Sequence, residues 1–251
     1  MSCVNIRGCC IGEGRPKVIL PIVERTETAI LEKAAQFSTL RADCVEWRVD
    51  LFEGFLDAAA IARCAQKLRV ALRDKLLLVT FRTKAEGGAQ ALSHTEYLAF
   101  LGLILDTDCA DLLDIEFFTA GADLPALVNQ VHSAGAAVVC SSHDFAKTPP
   151  RAELISRMVQ MQQAGADLPK LAVMPQSRTD VLELLAATAE MADLHPETPV
   201  ITMSMGALGA VSRLAGEAFG SAMTFANPGQ ASAPGQVPLD IVNEVLDTLH
   251  S

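Results

Sequence analysis

The sequence predicts an α/β protein, a (β/α)8 TIM barrel, and three observations favour this class. Eight short apolar segments rich in β-branched residues recur along the chain, with starts separated by 21 to 36 residues. Stretches with apolar residues at helical spacing lie between them, which is the alternation typical of parallel-sheet proteins. A length of 251 residues is ordinary for one such barrel. We therefore expect a single domain over residues 1–251.

The eight strand candidates begin with "KVILPIV" and end with "GSAMTFA". Their apolar runs suit strands that are buried on both faces of a parallel sheet. The candidates occupy residues 17–23, 43–49, 75–81, 111–117, 136–142, 168–174, 199–205 and 220–226. The clearest helical patterns occupy residues 27–39, 58–72, 94–106 and 178–191. Residues 1–11 precede the first strand, and we expect them to cap the barrel bottom.

Composition excludes several classes of function. A formal charge of −10 argues against a nucleic-acid partner, because phosphate binding needs a basic face. No apolar run reaches the roughly 18 to 20 residues that a membrane-spanning helix needs, and no secretory h-region is visible at the start. The seven cysteines are odd in number and lack C-x-x-C spacing. This usage predicts reduced thiols and a cytoplasmic protein. The lack of a long apolar run predicts that the protein has no membrane partner.

Common cofactor and nucleophile motifs are missing. The G-x-G of "IGEGRP" lacks a third glycine and a strand of convincing length before it, so a dinucleotide site is not indicated. No G-x-S-x-G elbow is present, and the five histidines show no ligand-like spacing. The sequence predicts neither a metal site nor a cofactor.

In barrels of this type, catalytic residues lie at the carboxyl ends of the strands and in the loops that follow. The predicted strand ends are unusually polar, and the Pro/Gly-rich stretch 226–238 after the last strand reads as a long flexible loop. The candidate residues at this end are Glu46, Arg48, Arg82, Glu86, Asp114, Glu116, His143, Lys170, Met203, Met205, Arg213, Ser232 and Gln236.

Lys170 is the most informative of these candidates, because it stands inside the apolar strand "LPKLAVM". Burial disfavours an ammonium and can leave a neutral amine that attacks a carbonyl. The alternative is a lysine at the strand start whose head group reaches water. On this stretch alone, the alternative is somewhat favoured.

The other candidates also have structural interpretations when each is taken alone. Glu46 and Arg48 could form an ion pair, and Asp114 and Glu116 could bridge neighbouring strands. His143 could be a core histidine bonded to a backbone carbonyl. Arg213 could lie on a solvated helix face. The convergence of so many polar residues on one end of one barrel favours a functional site.

Seven ordered motifs resemble one family. They are "VEWRVD", "TFRTKAEGG", "SSHDF", "PKLAVMP", "ITMSMG", "SRLAGEAFGS" and "ASAPGQ". Together they resemble the type I 3-dehydroquinate dehydratases of the shikimate pathway, from about residue 12 to the C-terminus.

The resemblance implies a cofactor-free lyase that converts 3-dehydroquinate to 3-dehydroshikimate. Lys170 would form an imine with the C3 ketone, His143 would act as general acid and base, and Glu86 would orient the imidazole. Arg213, with Ser232 and Gln236, would bind the substrate carboxylate. The remaining substrate contacts implied are Glu46, Arg48 and Arg82 to the ring hydroxyls and Met203 and Met205 as an apolar wall. The family also suggests a homodimer.

Two other functions stay open from the sequence. A class I aldolase would need the same buried lysine, but the segments after strands seven and eight offer little to grip a phosphate. A non-catalytic barrel that binds a small carboxylate would need Arg213 but not a reactive amine.

Overall fold

The computed structural model describes residues 2–229 and 233–250. The chain opens with an antiparallel hairpin of β1, Val4–Ile6, and β2, Cys9–Ile11. Arg7 and Gly8 connect them with φ angles of 49° and 80°, the left-handed pair that a two-residue hairpin turn requires. The sequence predicted a capping segment here but not its strands.

The barrel strands follow in chain order and pair in parallel with their sequence neighbours. Within residues 2–229 and 233–250 they are β3 Lys17–Ile22, β4 Cys44–Arg48, β5 Leu76–Thr80, β6 Leu112–Glu116, β7 Ala137–Asp144, β8 Leu168–Val173, β9 Ile201–Ser204 and β10 Met223–Asn227. Each coincides with a predicted strand to within a few residues. A bridge between Val200 and Ser221 joins β9 to β10, while β10 pairs with β3, so the sheet curls back on itself. A short strand, β11 (Val237–Pro238), pairs in parallel with β10.

Helices alternate with the strands and cover the outside of the sheet. In the part of the chain that the structure describes they are α1 Glu27–Phe37, α2 Ala58–Leu72, α3 His94–Leu105, α4 Phe117–Ala120, α5 Leu124–Ser133, α6 Arg151–Gln163, α7 Arg178–Leu194, α8 Ala210–Leu214 and α9 Leu239–Leu249. Polar side chains cap the N-termini of several helices. Ser93 and Glu96 form a capping box on α3, and Asp57 caps α2. The predicted (β/α)8 architecture is confirmed.

Two apolar cores follow from strand alternation. Outward side chains such as Val45 and Trp47 pack against the helices. Inward side chains such as Ile19 and Leu78 fill the barrel. Ile11 of β2 is fully buried in this inner core, so the N-terminal hairpin closes the end of the barrel where the strands begin. The opposite end is left for a site.

The structure corrects the expectation that all cysteines are reduced. Cys3 and Cys10 form a disulfide, while the other described cysteines are free. Pairing of β1 with β2 brings the two Cα atoms to 5.7 Å, which is within disulfide reach. Cysteine spacing alone could not show this, because the hairpin was not predicted.

Among the described residues, no helix combines the length and apolar composition needed to cross a membrane.

Candidate active site

A cavity of about 270 Å³ opens at the carboxyl ends of the barrel strands. Ten of the predicted site residues line it. They are Glu46, Arg48, Arg82, Glu86, His143, Lys170, Met203, Met205, Arg213 and Gln236. Ser232 lies outside the described residues. The barrel therefore brings together side chains that are up to 190 residues apart in the chain, from Glu46 to Gln236.

Lys170 is buried inside this cavity, with 3% of its surface exposed. The interpretation of a lysine that reaches water is therefore wrong. Its Nζ donates to Asp114 Oδ2 at 3.3 Å and lies 4.7 Å from the centre of the Phe225 ring. The primary amine is thus held between a carboxylate and an aromatic face.

Asp114 is shared between Lys170 and Arg82. Its Oδ1 lies 2.8 Å from the Arg82 guanidinium and accepts a hydrogen bond from Ser141 Oγ at 2.7 Å. Burial alone would raise the pKa of Asp114, but the charges of Arg82 and Lys170 lower it below its ordinary value. Asp114 is therefore a carboxylate that balances two cations.

Glu116 completes the support of Arg82. It accepts from Arg82 at 2.9 Å and from the backbone and side chain of Thr83 at 2.8 and 2.7 Å. These bonds confirm that Asp114 and Glu116 bridge neighbouring strand ends, as the sequence allowed. They also fix the start of the segment that carries Glu86.

Glu86 and His143 form a buried pair. Glu86 Oε2 accepts the backbone N–H of His143 at 3.0 Å and lies 2.8 Å from the ring Nδ1. Burial raises the pKa of Glu86 to about 8. Burial, followed by the charges of Arg82 and Lys170, lowers the pKa of His143 well below its ordinary value. Nδ1 is committed to Glu86, not to the backbone carbonyl expected of a core histidine, which leaves Nε2 as the ring nitrogen available for proton transfer.

Glu46 and Arg48 share the inward face of β4 but do not pair with each other. Arg48 makes a two-point ion pair with Asp50 at 2.8 and 2.9 Å. Glu46 accepts from Thr80 Oγ1 at 2.9 Å. Asp50 also accepts the backbone N–H of Arg82 at 3.2 Å, so it ties the end of β4 to the next loop.

Arg213 differs from the other arginines of the cavity. Its exposure is 2%, its Nε has no partner among the described residues, and its Nη atoms donate to Met203 Sδ and to the Pro234 carbonyl. Burial lowers the pKa of Arg213 to about 10. The alternative of a solvated helix face is wrong. A buried guanidinium without a carboxylate in the described chain is suited to bind an anionic ligand.

Residues 233–236, just before β11, close one side of the cavity. The Pro234 carbonyl accepts from the backbone N–H of Gly206 at 3.1 Å and from Arg213 at 3.3 Å. Ala233, Pro234 and Gln236 line the cavity. This segment is therefore hydrogen-bonded directly to Arg213.

Sequence reasoning did not select Asp50, Ser141 or Phe225. Asp50 continues the two-residue alternation of Glu46 and Arg48, so the motif "EWRVD" contained a usable signal. Phe225 alternates with Met223 on the inward face of β10, but nothing in the sequence indicates its contact with Lys170.

A possible metal-ligand group lies elsewhere. Within residues 2–229 and 233–250, Cys3, Cys10 and Glu13 come together at the N-terminal hairpin. The disulfide occupies both sulfur atoms, and the group lies at the closed end of the barrel. It has no part in the cavity.

The cavity joins three chemical capacities. A buried primary amine can add to a carbonyl, an adjacent imidazole can transfer protons, and an unpaired guanidinium can hold a carboxylate. A small anionic ketone or aldehyde would meet all three groups at once.

Comparisons with known proteins agree with this chemistry. The family model for type I 3-dehydroquinase matches residues 18–251. The 3-dehydroquinate dehydratase of Bacillus subtilis is 48% identical over 250 residues, which is 100% of this chain and 98% of that protein. The enzyme of the same name from Bacillus licheniformis is 44% identical over 98% of this chain and 97% of its own length.

A solved structure is similarly close. The type I 3-dehydroquinate dehydratase from Clostridium difficile, crystallised with covalently modified comenic acid, superposes with a TM-score of 0.96 at 42% identity. The match covers 99% of this chain and 98% of that chain. The protein therefore belongs to the type I 3-dehydroquinase family of dehydratases.

Proposed function

We propose that this protein dehydrates 3-dehydroquinate to 3-dehydroshikimate through a Schiff base on Lys170, without a metal or organic cofactor. The observation that carries the proposal is the juxtaposition of three groups in one cavity. These groups are the buried Lys170 amine, the Glu86–His143 pair and the Arg213 guanidinium, which has no carboxylate partner among the described residues. The covalent ligand in the Clostridium difficile relative is consistent with a reactive side chain in this family.

The reaction begins at the lysine nitrogen. His143 takes a proton from the Lys170 ammonium, the free amine adds to the C3 ketone, and His143 returns the proton to the hydroxyl that leaves as water, which gives the iminium. The iminium withdraws electrons from C2 and acidifies its proton. His143 removes that proton, and the electron pair left on C2 forms the new double bond as the C1 hydroxyl departs with a proton from His143. Hydrolysis of the imine consumes one water and frees Lys170, so the net change is loss of one water.

Glu86 sets the direction of this proton transfer. In its carboxylate form it accepts the Nδ1 proton of His143, which leaves Nε2 unprotonated and able to act as the base. It therefore orients the imidazole without contacting the substrate carbon.

The substrate is held by its charge and its hydroxyl groups. Arg213 pairs with the carboxylate, assisted by Gln236 and by Ser232, whose role rests on the family resemblance alone. Glu46, Arg48 and Arg82 contact the ring hydroxyls. Met203 and Met205, both buried, supply the apolar wall.

The alternatives lack support from the cavity. A sugar-phosphate aldolase needs a cluster of donors for a phosphate after the last strands, where the described residues present Arg213 as the cation. A carboxylate-binding protein without catalysis would not need a buried amine beside a proton-transfer pair.

Turnover and covalent trapping test the proposal together. The purified protein should convert 3-dehydroquinate to a product with new enone absorbance. Addition of borohydride during turnover should inactivate the protein and add the mass of the reduced ligand at Lys170. Lys170→Ala should fold but lose nearly all turnover. Lys84→Ala, an exposed lysine beside the site, should keep both turnover and the adduct. Absence of turnover, or an adduct on another lysine, would contradict the mechanism.

The family resemblance also supports a homodimer that acts in the shikimate pathway. Light scattering during size-exclusion chromatography should give about twice the chain mass of 26.7 kDa.

A further inference from the structure

We propose that the aromatic face of Phe225 is a further catalytic group, which stabilises positive charge on the nitrogen of Lys170 and keeps the imine in its reactive iminium form. This inference rests on the proposed Schiff-base function. It assigns a role to a side chain that cannot exchange a proton with the nitrogen it contacts.

The geometry is that of a cation–π contact. Lys170 Nζ lies 4.7 Å from the centre of the Phe225 ring, inside the distance of about 6 Å at which such contacts are effective. Both side chains are buried, with exposures of 3% and 5%, so little water screens the attraction. The ring lines the same cavity as the amine.

The ring is also held firmly. Phe225 belongs to β10 and pairs in register with Ile19 of β3. The next residue towards the N-terminus, Thr224, donates its hydroxyl proton to the carbonyl of Arg213 at 2.9 Å. A rigid strand therefore places the ring face beside the nitrogen.

A source of negative potential that cannot take up a proton suits the chemistry of the site. Only the protonated imine is a strong electron sink, and an imine nitrogen is less basic than the amine from which it forms. Arg82 places another cation nearby, and Asp114 divides its charge between Arg82 and Lys170. Asp114 and His143 can also accept a proton. Phe225 adds negative electrostatic potential to the nitrogen without offering a site for its proton.

A graded change of the ring tests this role. Phe225 is replaced by monofluoro-, difluoro- and trifluorophenylalanine, which weaken the negative potential of the ring face in steps and change its size little. The turnover number and the rate of borohydride trapping at Lys170 should both fall stepwise, while KM changes little. The total loss should be about 2- to 30-fold, the range expected for removal of one cation–π contact. Phe225→Leu should fall at least as far as the trifluoro variant.

The same fluorinated series at Phe100 is the matched control. Phe100 is buried in the outer core and packs on Phe81, so fluorination there should leave turnover and trapping unchanged. A flat response at Phe225, or a change in KM alone, overturns the inference while wild-type trapping at Lys170 still supports the Schiff base. Failure of wild-type trapping would reject the Schiff base and this role together.

Discussion

The buried cationic residues of the cavity differ in whether a carboxylate balances their charge. Arg82, Arg48 and Lys170 each have a carboxylate partner, whereas Arg213 has none in the described chain. Leaving a buried guanidinium unpaired costs stability, and a protein retains such a group where a ligand supplies the missing charge. The same trade between stability and function applies to Glu86.

Glu86→Gln should stabilise the protein at high pH. The pKa of Glu86 is raised from 4.5 to about 8, so between these values the folded state binds a proton that the unfolded state does not. The stability from this proton is fully present below about pH 4.5 and is lost as pH rises through about 8. A glutamine side chain does not ionise in this pH range, so it contributes no such pH dependence. We expect the variant to exceed the wild type at pH 9 by on the order of 1 to 3 kcal/mol, with a smaller difference at pH 5.

Urea unfolding at pH 5, 7 and 9 measures this effect. Glu197→Gln, at an exposed position, is the control and should show no such trend. A stability difference that does not change with pH would show that the charge of Glu86 is not its cause. Turnover should fall in the same variant, because glutamine cannot act as a carboxylate towards Nδ1 of His143.

At the level of structural elements, close packing against the backbone of Gly206 holds residues 233–236 in place. Gly235 has a φ of +77°, and a Cβ there would lie 2.2 Å from the carbonyl oxygen of Gly206. This packing accompanies the bonds of Pro234 to Gly206 and Arg213. The segment therefore has little space for any side chain at this position.

Gly235→Ala should displace the loop and weaken substrate binding. Alanine is disfavoured at this φ, and its Cβ would clash with the backbone of Gly206. We therefore expect the segment to move away from Arg213. We expect kcat/KM to fall by about 10- to 100-fold through a higher KM, with a trappable Lys170 retained. Gly229→Ala shares an unfavourable positive φ, at +154°, but its Cβ would meet no atom within 4 Å, so this variant should change kcat/KM much less. Equal kinetics for the two variants would exclude a contribution of this packing to binding.

At the scale of the whole molecule, the two ends of the barrel have separate tasks. The hairpin of β1 and β2 closes one end through Ile11, and the cavity occupies the other. The Ser2 hydroxyl, next to the hairpin, donates a hydrogen bond to the backbone carbonyl of Glu197, with an O–O distance of 2.6 Å. A change at the closed end should therefore affect stability without affecting catalysis.

Cys3→Ser should lower stability and leave turnover unchanged. Loss of a disulfide that closes a short loop restores conformational freedom to the unfolded chain, at about 2 kcal/mol. Thermal unfolding of the variant should match that of the wild type in the presence of a reductant. A variant as stable as the oxidised wild type would show that the disulfide does not contribute, and reduced turnover would contradict the separation of the two ends.

The architecture and most of the candidate site could be predicted from local sequence patterns. Strand burial and helix periodicity are local patterns, and each predicted strand is present. Barrel geometry then predicts a site at the carboxyl ends of the strands. The motifs around Lys170, His143 and Arg213 indicate the family.

Which of these residues contact one another could not be predicted, because distances across the barrel depend on strand register and barrel closure, which no local pattern encodes. Arg48 pairs with Asp50 and not with Glu46, and Asp114 serves two cations. Phe225 reaches Lys170 because β10 curls back beside β3, 55 residues along the chain from the lysine. Cys3 meets Cys10 because an unpredicted turn at Arg7 and Gly8 folds the first strand onto the second.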